Sequence, residues 1–96
     1  MSSKTPVLFR VWKTDAMDIF ALFPTIPASS WEVTCYQHIG QHCMANYELC
    51  VRKSRPAKPK EYHDLLIELR RIGYKRLKVV NCRTPAMRAE FDKNKG

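Results

Sequence analysis

Glycine is scarce in this chain, and long apolar stretches are missing. The 96 residues include three glycines, no two of which lie close together in the sequence. A loop that binds phosphate through its backbone amides needs clustered glycines, so the usual nucleotide-binding loops are excluded. Every apolar run is far shorter than the ~20 residues that cross a bilayer, so the sequence predicts no membrane-spanning helix.

The first residues also lack the features of a secretory signal. Residues 1–6 contain no apolar segment followed by small residues at a cleavage position. We therefore expect a cytoplasmic protein. Its four cysteines are then predicted to be free thiols, because cytosolic proteins rarely hold disulfides.

A Cys-x2-Cys pair, the usual signature of a structural zinc site, is missing as well. The nearest substitute is the run from Cys35 to Cys43, which includes His38 and His42. All four side chains are of types that bind zinc. However, Gly40 separates the histidines at a predicted strand–helix junction, so they do not share one helix face. We predict that neither a metal nor another cofactor binds there.

The same run supplies a predicted polar site and an alternative function. Four polar side chains are predicted to fix the junction: Tyr36, His38, Gln41 and His42. The alternative is a small metal- or thiol-dependent site formed by Cys35, His38, His42 and Cys43. Cys43 would be its reactive thiol, because a helix N-terminus lowers the pKa of a thiol. Catalysis also needs a group that orients the base, and none is evident, so we predict no catalytic residues.

Acidic residues are few and unevenly placed. The chain has 17 basic and nine acidic residues, a net charge of +8. Residues 1–51 hold three basic and four acidic side chains, whereas residues 52–96 hold fourteen and five, a net charge of +9. A basic half indicates a polyanionic partner, which is nucleic acid or an acidic protein surface. Ten residues are the candidate nucleic-acid contacts: Arg52, Lys53, Arg55, Lys58, Lys60, Arg70, Arg71, Lys75, Arg76 and Lys78.

The N-terminal half has the pattern of β-strands. Residues 7–13 alternate, with Val7, Phe9 and Val11 on one face and Leu8, Arg10 and Trp12 on the other. A turn at 14–18 leads to the run 19–23, which is apolar on both faces and so predicts a central strand packed on each side. Pro24 is expected to end that strand, residues 24–30 to form a loop, and residues 32–38 to form a third strand.

The C-terminal half changes to helical spacing. A first helix is predicted near 42–53, followed by a second that begins at Pro59. The second helix is the stronger prediction, because its apolar residues follow the i, i+3, i+4, i+7 pattern: Tyr62, Leu65, Leu66, Leu69 and Ile72. Gly73 is expected to cap it in the left-handed conformation. Residues 74–82 predict a strand with an exposed, charged edge.

These elements predict an α+β fold with the order β-β-β-α-α-β. An antiparallel sheet of about four strands would carry two helices on one face. The predicted domain organisation is a flexible terminus at 1–6, a single domain at 7–82, and a basic, disordered tail at 83–96.

The chain resembles a small family of uncharacterised proteins from bacteria and their mobile elements, such as phages and plasmids. The matching segments are spread over most of residues 7–80: Ala21-Leu22-Phe23-Pro24, the run from Tyr36 to His42, Asn46-Tyr47, Arg55-Pro56-Ala57, Glu61-Tyr62 with Leu65 and Leu69, and Ile72-Gly73-Tyr74. Glycine often follows the second histidine in such sequences, where this chain has Cys43. The resemblance implies a compact bacterial or phage protein and supplies no activity.

Together these features favour a non-catalytic binding module whose basic half contacts nucleic acid or a nucleic-acid-binding partner. Trp12, Tyr36 and Tyr74 are aromatic strand residues of the kind that stacks on bases, but the predicted helices would bury them, so binding is expected to be electrostatic. A second alternative is a protein–protein module. It would be a monomer, or a homodimer formed through an edge strand or through Ile67.

Overall fold

The computed structural model describes residues 4–13, 15–37, 41–74 and 76–94, and for 15–18 and 41–44 it describes the backbone alone. The elements are β1 (Thr5–Trp12), β2 (Asp15–Pro27), β3 (Val33–Gln37), β4 (Gln41–Ala45), α1 (Tyr47–Arg52), β5 (Ser54–Pro56), α2 (Pro59–Arg71), β6 (Leu77–Val79) and α3 (Pro85–Asn94). None of the described helices is long and apolar enough to span a bilayer.

The strands form one sheet in the order β4-β3-β2-β1-β5, and all of these neighbours are antiparallel. The predicted α+β class with an antiparallel sheet is therefore confirmed. β5 and β6 both pair with β1 on the side away from β2. Ser54 lies opposite Trp12, and Leu77 lies opposite Thr5 in the parallel β1–β6 pair. Two short strands thus share one edge of the sheet.

β2 lies at the centre of the sheet and is buried on both faces, as its sequence predicts. Its alternate residues join two different apolar clusters. The first cluster is covered by α2 and contains Val7, Phe9, Ala21, Phe23, Tyr36, Leu65 and Leu69. The second includes residues of α1 and α3 and contains Leu8, Phe20, Leu22, Val33, Cys35, Ala45 and Phe91. Burial of both faces gives the protein two apolar clusters, which together form its core.

Residues 41–45 form a strand, where the sequence predicts the start of a helix. They pair with β3 over its whole length, from Val33 opposite Ala45 to Gln37 opposite Gln41. The helix begins only at Tyr47, because the Asn46 side chain accepts a hydrogen bond from the Leu49 N–H at 3.0 Å and caps it. Strand pairing with a distant segment outweighs the local helical spacing.

The segment expected to be a disordered tail contains α3. Thr84 caps this helix through its hydroxyl oxygen, which accepts a hydrogen bond from the Met87 N–H at 3.2 Å. Pro85 occupies the first turn, where a missing N–H costs little. Phe91 is buried in the second cluster. Packing therefore extends well beyond residue 82.

The strand boundaries also differ from their predictions. β2 begins at Asp15, within the segment 14–18 that the sequence predicts to be a turn. β2 continues past Pro24 to Pro27, with an irregular register against β3 between Phe23 and Pro27. A bulge of this kind accommodates a proline that cannot donate to the ladder. The final strand, β6, is shorter than the predicted 74–82.

α2 ends at a glycine, as predicted. Gly73 has φ of 124°, its N–H donates to the Arg70 carbonyl at 3.3 Å, and the Tyr74 N–H donates to the Leu69 carbonyl at 3.0 Å. This is the Schellman arrangement, which a residue with a Cβ strains.

We expect the Gly73→Ala substitution to lower the free energy of unfolding by about 1 kcal/mol. No atom lies within 4 Å of a Cβ built at Gly73, so the cost is conformational rather than steric. Urea denaturation of the two proteins measures it. A Gly73→Asn variant should lose less, because asparagine tolerates this region better than alanine. Equal stability of all three proteins would contradict the assignment.

Candidate nucleic-acid interface

The predicted polar site lies where β3 and β4 pair with each other rather than at a strand–helix junction. The Tyr36 side chain is fully buried in the first cluster, and its hydroxyl donates to the Glu68 carboxylate on α2. The backbone of β4 places Gln41 opposite Gln37 and His42 opposite Tyr36. His38 lies outside the described residues. Tyr36 therefore ties the sheet to α2, and this contact explains its burial.

The cysteines differ from the prediction of four free thiols. Cys35 is disulfide-bonded, and its neighbour across the β3–β4 ladder is Cys43. Cys50 and Cys82 are free. Burial raises the pKa of the Cys50 thiol, which disfavours the reactive thiolate. A disulfide at Cys35 removes that sulfur as a nucleophile or metal ligand. Within the described residues, no group of three or more metal-ligating side chains comes together.

Three basic side chains meet an aromatic ring at one end of the shared sheet edge. Trp12, Lys13, Arg52 and Lys53 line an open cleft of about 470 Å³, which we call the basic cleft. The Lys13 N–H donates to the Lys53 carbonyl at 3.1 Å, and Lys13 Nζ donates to the Arg52 carbonyl at 3.1 Å. The Trp12 ring stacks on Phe20 at 4.4 Å. These contacts fix Lys13 and Trp12 against the C-terminal end of α1, where Arg52 and Lys53 lie.

Arg10 positions this cleft, and the sequence analysis did not single it out. The side chain is 6% exposed. Its guanidinium donates to the Ser54 hydroxyl at 2.9 Å and to the carbonyls of Val51 and Ser54 at 2.9 and 2.7 Å. Burial lowers its pKa. Carbonyls at a helix C-terminus carry partial negative charge, so a buried cation at the end of α1 is favourable there. The sequence does contain one signal for this role: Arg10 is a charged residue between Leu8 and Trp12 on a strand face that is otherwise apolar.

Arg55, another predicted contact, is engaged in an ion pair within the protein's own surface. Its guanidinium forms a two-pronged ion pair with Glu61, with distances of 2.9 and 2.7 Å. Glu61 also accepts the Lys58 N–H at 2.8 Å, at the start of α2. The hydrogen bond from Arg55 is the main reason that the pKa of Glu61 falls to about 2. Arg55 is thus already neutralised by a carboxylate.

The remaining predicted contacts are exposed but form separate groups. Lys58 and Lys60 lie at the first turn of α2, and Arg70 and Arg71 lie at its last, about 18 Å away at 1.5 Å per residue. Arg76 directly precedes β6, and Lys78 lies within it. The β1 register puts them about 23 Å from the basic cleft, at 3.3 Å per residue. Lys75 lies outside the described residues. The predicted set is therefore spread along the β5–β6 edge and α2 rather than gathered in one patch.

A second cleft, which the sequence analysis missed, lies at the other end of α1. It has a volume of about 150 Å³ and combines aromatic, basic and acidic side chains. We call it the aromatic cleft, and its lining residues are Trp31, Asn46, Tyr47, Glu48, Arg83, Arg88 and Phe91. The Arg83 guanidinium lies over the Tyr47 ring, 4.2 Å from its centroid. Trp31 stands in a loop and Arg83 in a connector, so neither belongs to a periodic pattern that sequence analysis detects.

No family model, curated protein or solved structure matches the chain. The resemblance to bacterial and mobile-element proteins therefore stays a prediction. The assignment of function rests on the geometry of the two clefts and on the charges around them.

Proposed function

We propose that the protein is a non-catalytic binding module that contacts the phosphate backbone of nucleic acid through the basic cleft. The observation that carries this proposal is the grouping of Lys13, Arg52 and Lys53 around Trp12. Within the described part of the chain, the ion pairs are Arg55–Glu61 and Arg88–Asp92, so no carboxylate pairs with these three cations. Cations held together without counter-charges repel one another, and a bound phosphate relieves that repulsion.

The shape of the surface supports an extended polyanion as the partner. A second group of exposed cations, Arg76 and Lys78, lies at the opposite end of the β5–β6 edge from the basic cleft. The edge is about 23 Å long, which corresponds to about seven nucleotides at 3.4 Å per phosphate along one strand. A small anion would occupy the cleft alone, whereas nucleic acid uses both ends of the edge.

The test is a pair of double variants with equal loss of charge. In the Arg52→Ala/Lys53→Ala protein we expect roughly tenfold weaker binding to labelled DNA or RNA at low salt. The slope of log K against log salt should become shallower by about 1.4–1.8, for two lost phosphate contacts. Fluorescence anisotropy across a salt series measures both quantities. The matched control is Arg70→Ala/Arg71→Ala, which removes two exposed cations at the far end of α2.

Two outcomes would overturn the proposal. One is the absence of binding to duplex and single-stranded DNA and RNA even at low salt. The other is equal weakening in the two double variants, which would show that net charge rather than the basic cleft controls binding.

The homodimer alternative makes a different prediction. Ile67 is half-buried on α2, and β6 is an exposed edge strand. A dimer formed through either feature would give twice the monomer mass of 11.2 kDa by light scattering. A monomer mass at high protein concentration would exclude it.

A further inference from the structure

Among the residues whose side chains the structure describes, Trp31 is the most exposed large apolar one, at 76%, yet its loop is fixed by several hydrogen bonds. The Ser29 hydroxyl donates to the Glu32 carboxylate at 3.0 Å and accepts the Glu32 N–H at 3.1 Å. The N–H groups of Ala28 and Ser29 both donate to the Glu32 carbonyl, at 2.8 and 3.2 Å. A tryptophan held in water by a fixed loop is a flat surface available to a planar ligand.

Arg83 is held across the same cleft. Its N–H donates to the Tyr47 hydroxyl at 2.7 Å, and its guanidinium stacks on the Tyr47 ring. Among the described residues, no carboxylate forms an ion pair with it. Burial, followed by repulsion from Arg88, lowers the pKa of Arg83. The Arg88 Nε lies 3.8 Å from the Asp92 carboxylate, but the Arg88 side chain is exposed and its two terminal amino groups remain available to an anion. An anion bound between the two guanidiniums reduces the repulsion between them.

Glu48 adds a group of the opposite sign to the lining of the aromatic cleft. An ionised carboxylate only accepts hydrogen bonds, so the matching ligand presents a donor such as an exocyclic amino group. The volume of about 150 Å³ lies below the range of about 300–1,000 Å³ that encloses drug-sized ligands. The cleft therefore suits one ring system with an attached charge rather than a whole cofactor.

We propose that the aromatic cleft binds a single amino-bearing nucleotide, with the base stacked on Trp31, the phosphate between Arg83 and Arg88, and the amino group on Glu48. The ligand is a free nucleotide or one unit of a single strand. This site goes beyond the backbone contact proposed for the basic cleft and is separate from it. The two clefts lie at opposite ends of α1, about 8 Å apart along its axis, so one strand can occupy both.

The experiment uses the intrinsic fluorescence of Trp31 in a Trp12→Phe background, where Trp31 is the remaining tryptophan. Phenylalanine keeps the aromatic contact with Phe20. We expect cytidine monophosphate to quench Trp31 with a dissociation constant in the millimolar range, as for a single stacked base with one charge contact. Uridine monophosphate, which lacks the amino group, and cytidine, which lacks the phosphate, should each bind at least threefold more weakly.

Three variants assign the contacts. Arg88→Ala should weaken binding of cytidine monophosphate at least threefold, and Glu48→Leu, which removes both acceptor oxygens, should remove the preference over uridine monophosphate. In the Arg52→Ala/Lys53→Ala protein this binding should be unchanged, which separates the site from the basic cleft. A six-nucleotide cytidine strand that binds at least tenfold more tightly than the mononucleotide identifies a single strand as the ligand, and equal affinities identify a free nucleotide.

The proposal is overturned if neither cytidine monophosphate nor the strand quenches Trp31 at concentrations up to about 10 mM, far above the expected dissociation constant. It is also overturned if quenching is unchanged in Arg88→Ala, or if uridine monophosphate binds as tightly as cytidine monophosphate.

Discussion

Phe91→Ala should lower the free energy of unfolding by about 3–5 kcal/mol, the range for removing a buried aromatic side chain. The Phe91 side chain is 2% exposed and packs in the second cluster with Leu8, Phe20 and Leu22 from the two central strands. α3 has no other buried residue, so Phe91 holds the helix on the sheet. A loss of this size is a large part of the 5–15 kcal/mol typical of a domain. Urea unfolding followed by circular dichroism measures it.

The control for this prediction is Glu90→Ala, which alters an exposed neighbour on the same helix and should change stability by less than about 0.5 kcal/mol. If Phe91→Ala were no more destabilising than this control, α3 would not be packed on the sheet. Residues 83–96 would then behave as the disordered tail that their composition predicts.

The second large effect is expected at Arg10. Arg10→Met keeps much of the aliphatic stem but removes the guanidinium donors to the carbonyls of Val51 and Ser54 and to the Ser54 hydroxyl. Ser54 is itself buried, so its acceptors lose these partners in a place that water does not reach. We expect a loss of about 2–4 kcal/mol of stability, because buried acceptors left unsatisfied cost about 1–3 kcal/mol each. The urea midpoint measures this loss.

The same variant tests whether Arg10 positions the basic cleft. At a temperature where the variant is folded, nucleic-acid binding should weaken, because the turn that carries Arg52 and Lys53 is no longer fixed to β1. Arg10→Lys is the matched control, since it retains the charge with fewer and less directed donors. The stability of Arg10→Lys should lie between that of the original protein and that of Arg10→Met. A variant that is as stable as the original and binds equally well would contradict this role.

The sequence predicts the sheet centre and α2 well because both depend on local patterns. Alternation in β1 separates Val7 and Phe9 from Leu8 and Trp12, and the structure places these pairs in different clusters. The apolar spacing of α2 buries Leu65 and Leu69, and Gly73 ends the helix. In these segments, the residues that form the element also determine which face is buried.

The elements that the sequence missed depend on distant partners. Residues 41–45 form a strand because β3 offers a ladder to them. α3 has one buried residue, Phe91, which stabilises the helix only because it packs against the distant second cluster. Arg10 needs the end of α1 to satisfy its donors. None of these partners lies within the window that a periodic pattern samples.

In the candidate site, too, local sequence features were predicted and contacts between distant segments were not. Charge counting located the basic residues, and two of them, Arg52 and Lys53, line the basic cleft. It did not detect that Arg55 is neutralised by Glu61, because ion pairing depends on where helix α2 begins relative to β5. The aromatic cleft joins three separate segments, around Trp31, Tyr47 and Arg83, and only the folded chain brings them together.

The parallel pairing of β1 with β6 has a consequence during synthesis on the ribosome. Thr5 cannot pair with Leu77, its partner in the ladder, until Leu77 has been synthesised. The face of β2 that contributes to the second cluster likewise remains uncovered until Phe91 has been synthesised. At about 5–20 residues per second, the 64 residues between the end of β2 and Phe91 take roughly 3–13 s to translate. During that interval the nascent β1–β2 hairpin exposes Phe20 and Leu22, so it is a natural target for a chaperone that binds emerging apolar chains.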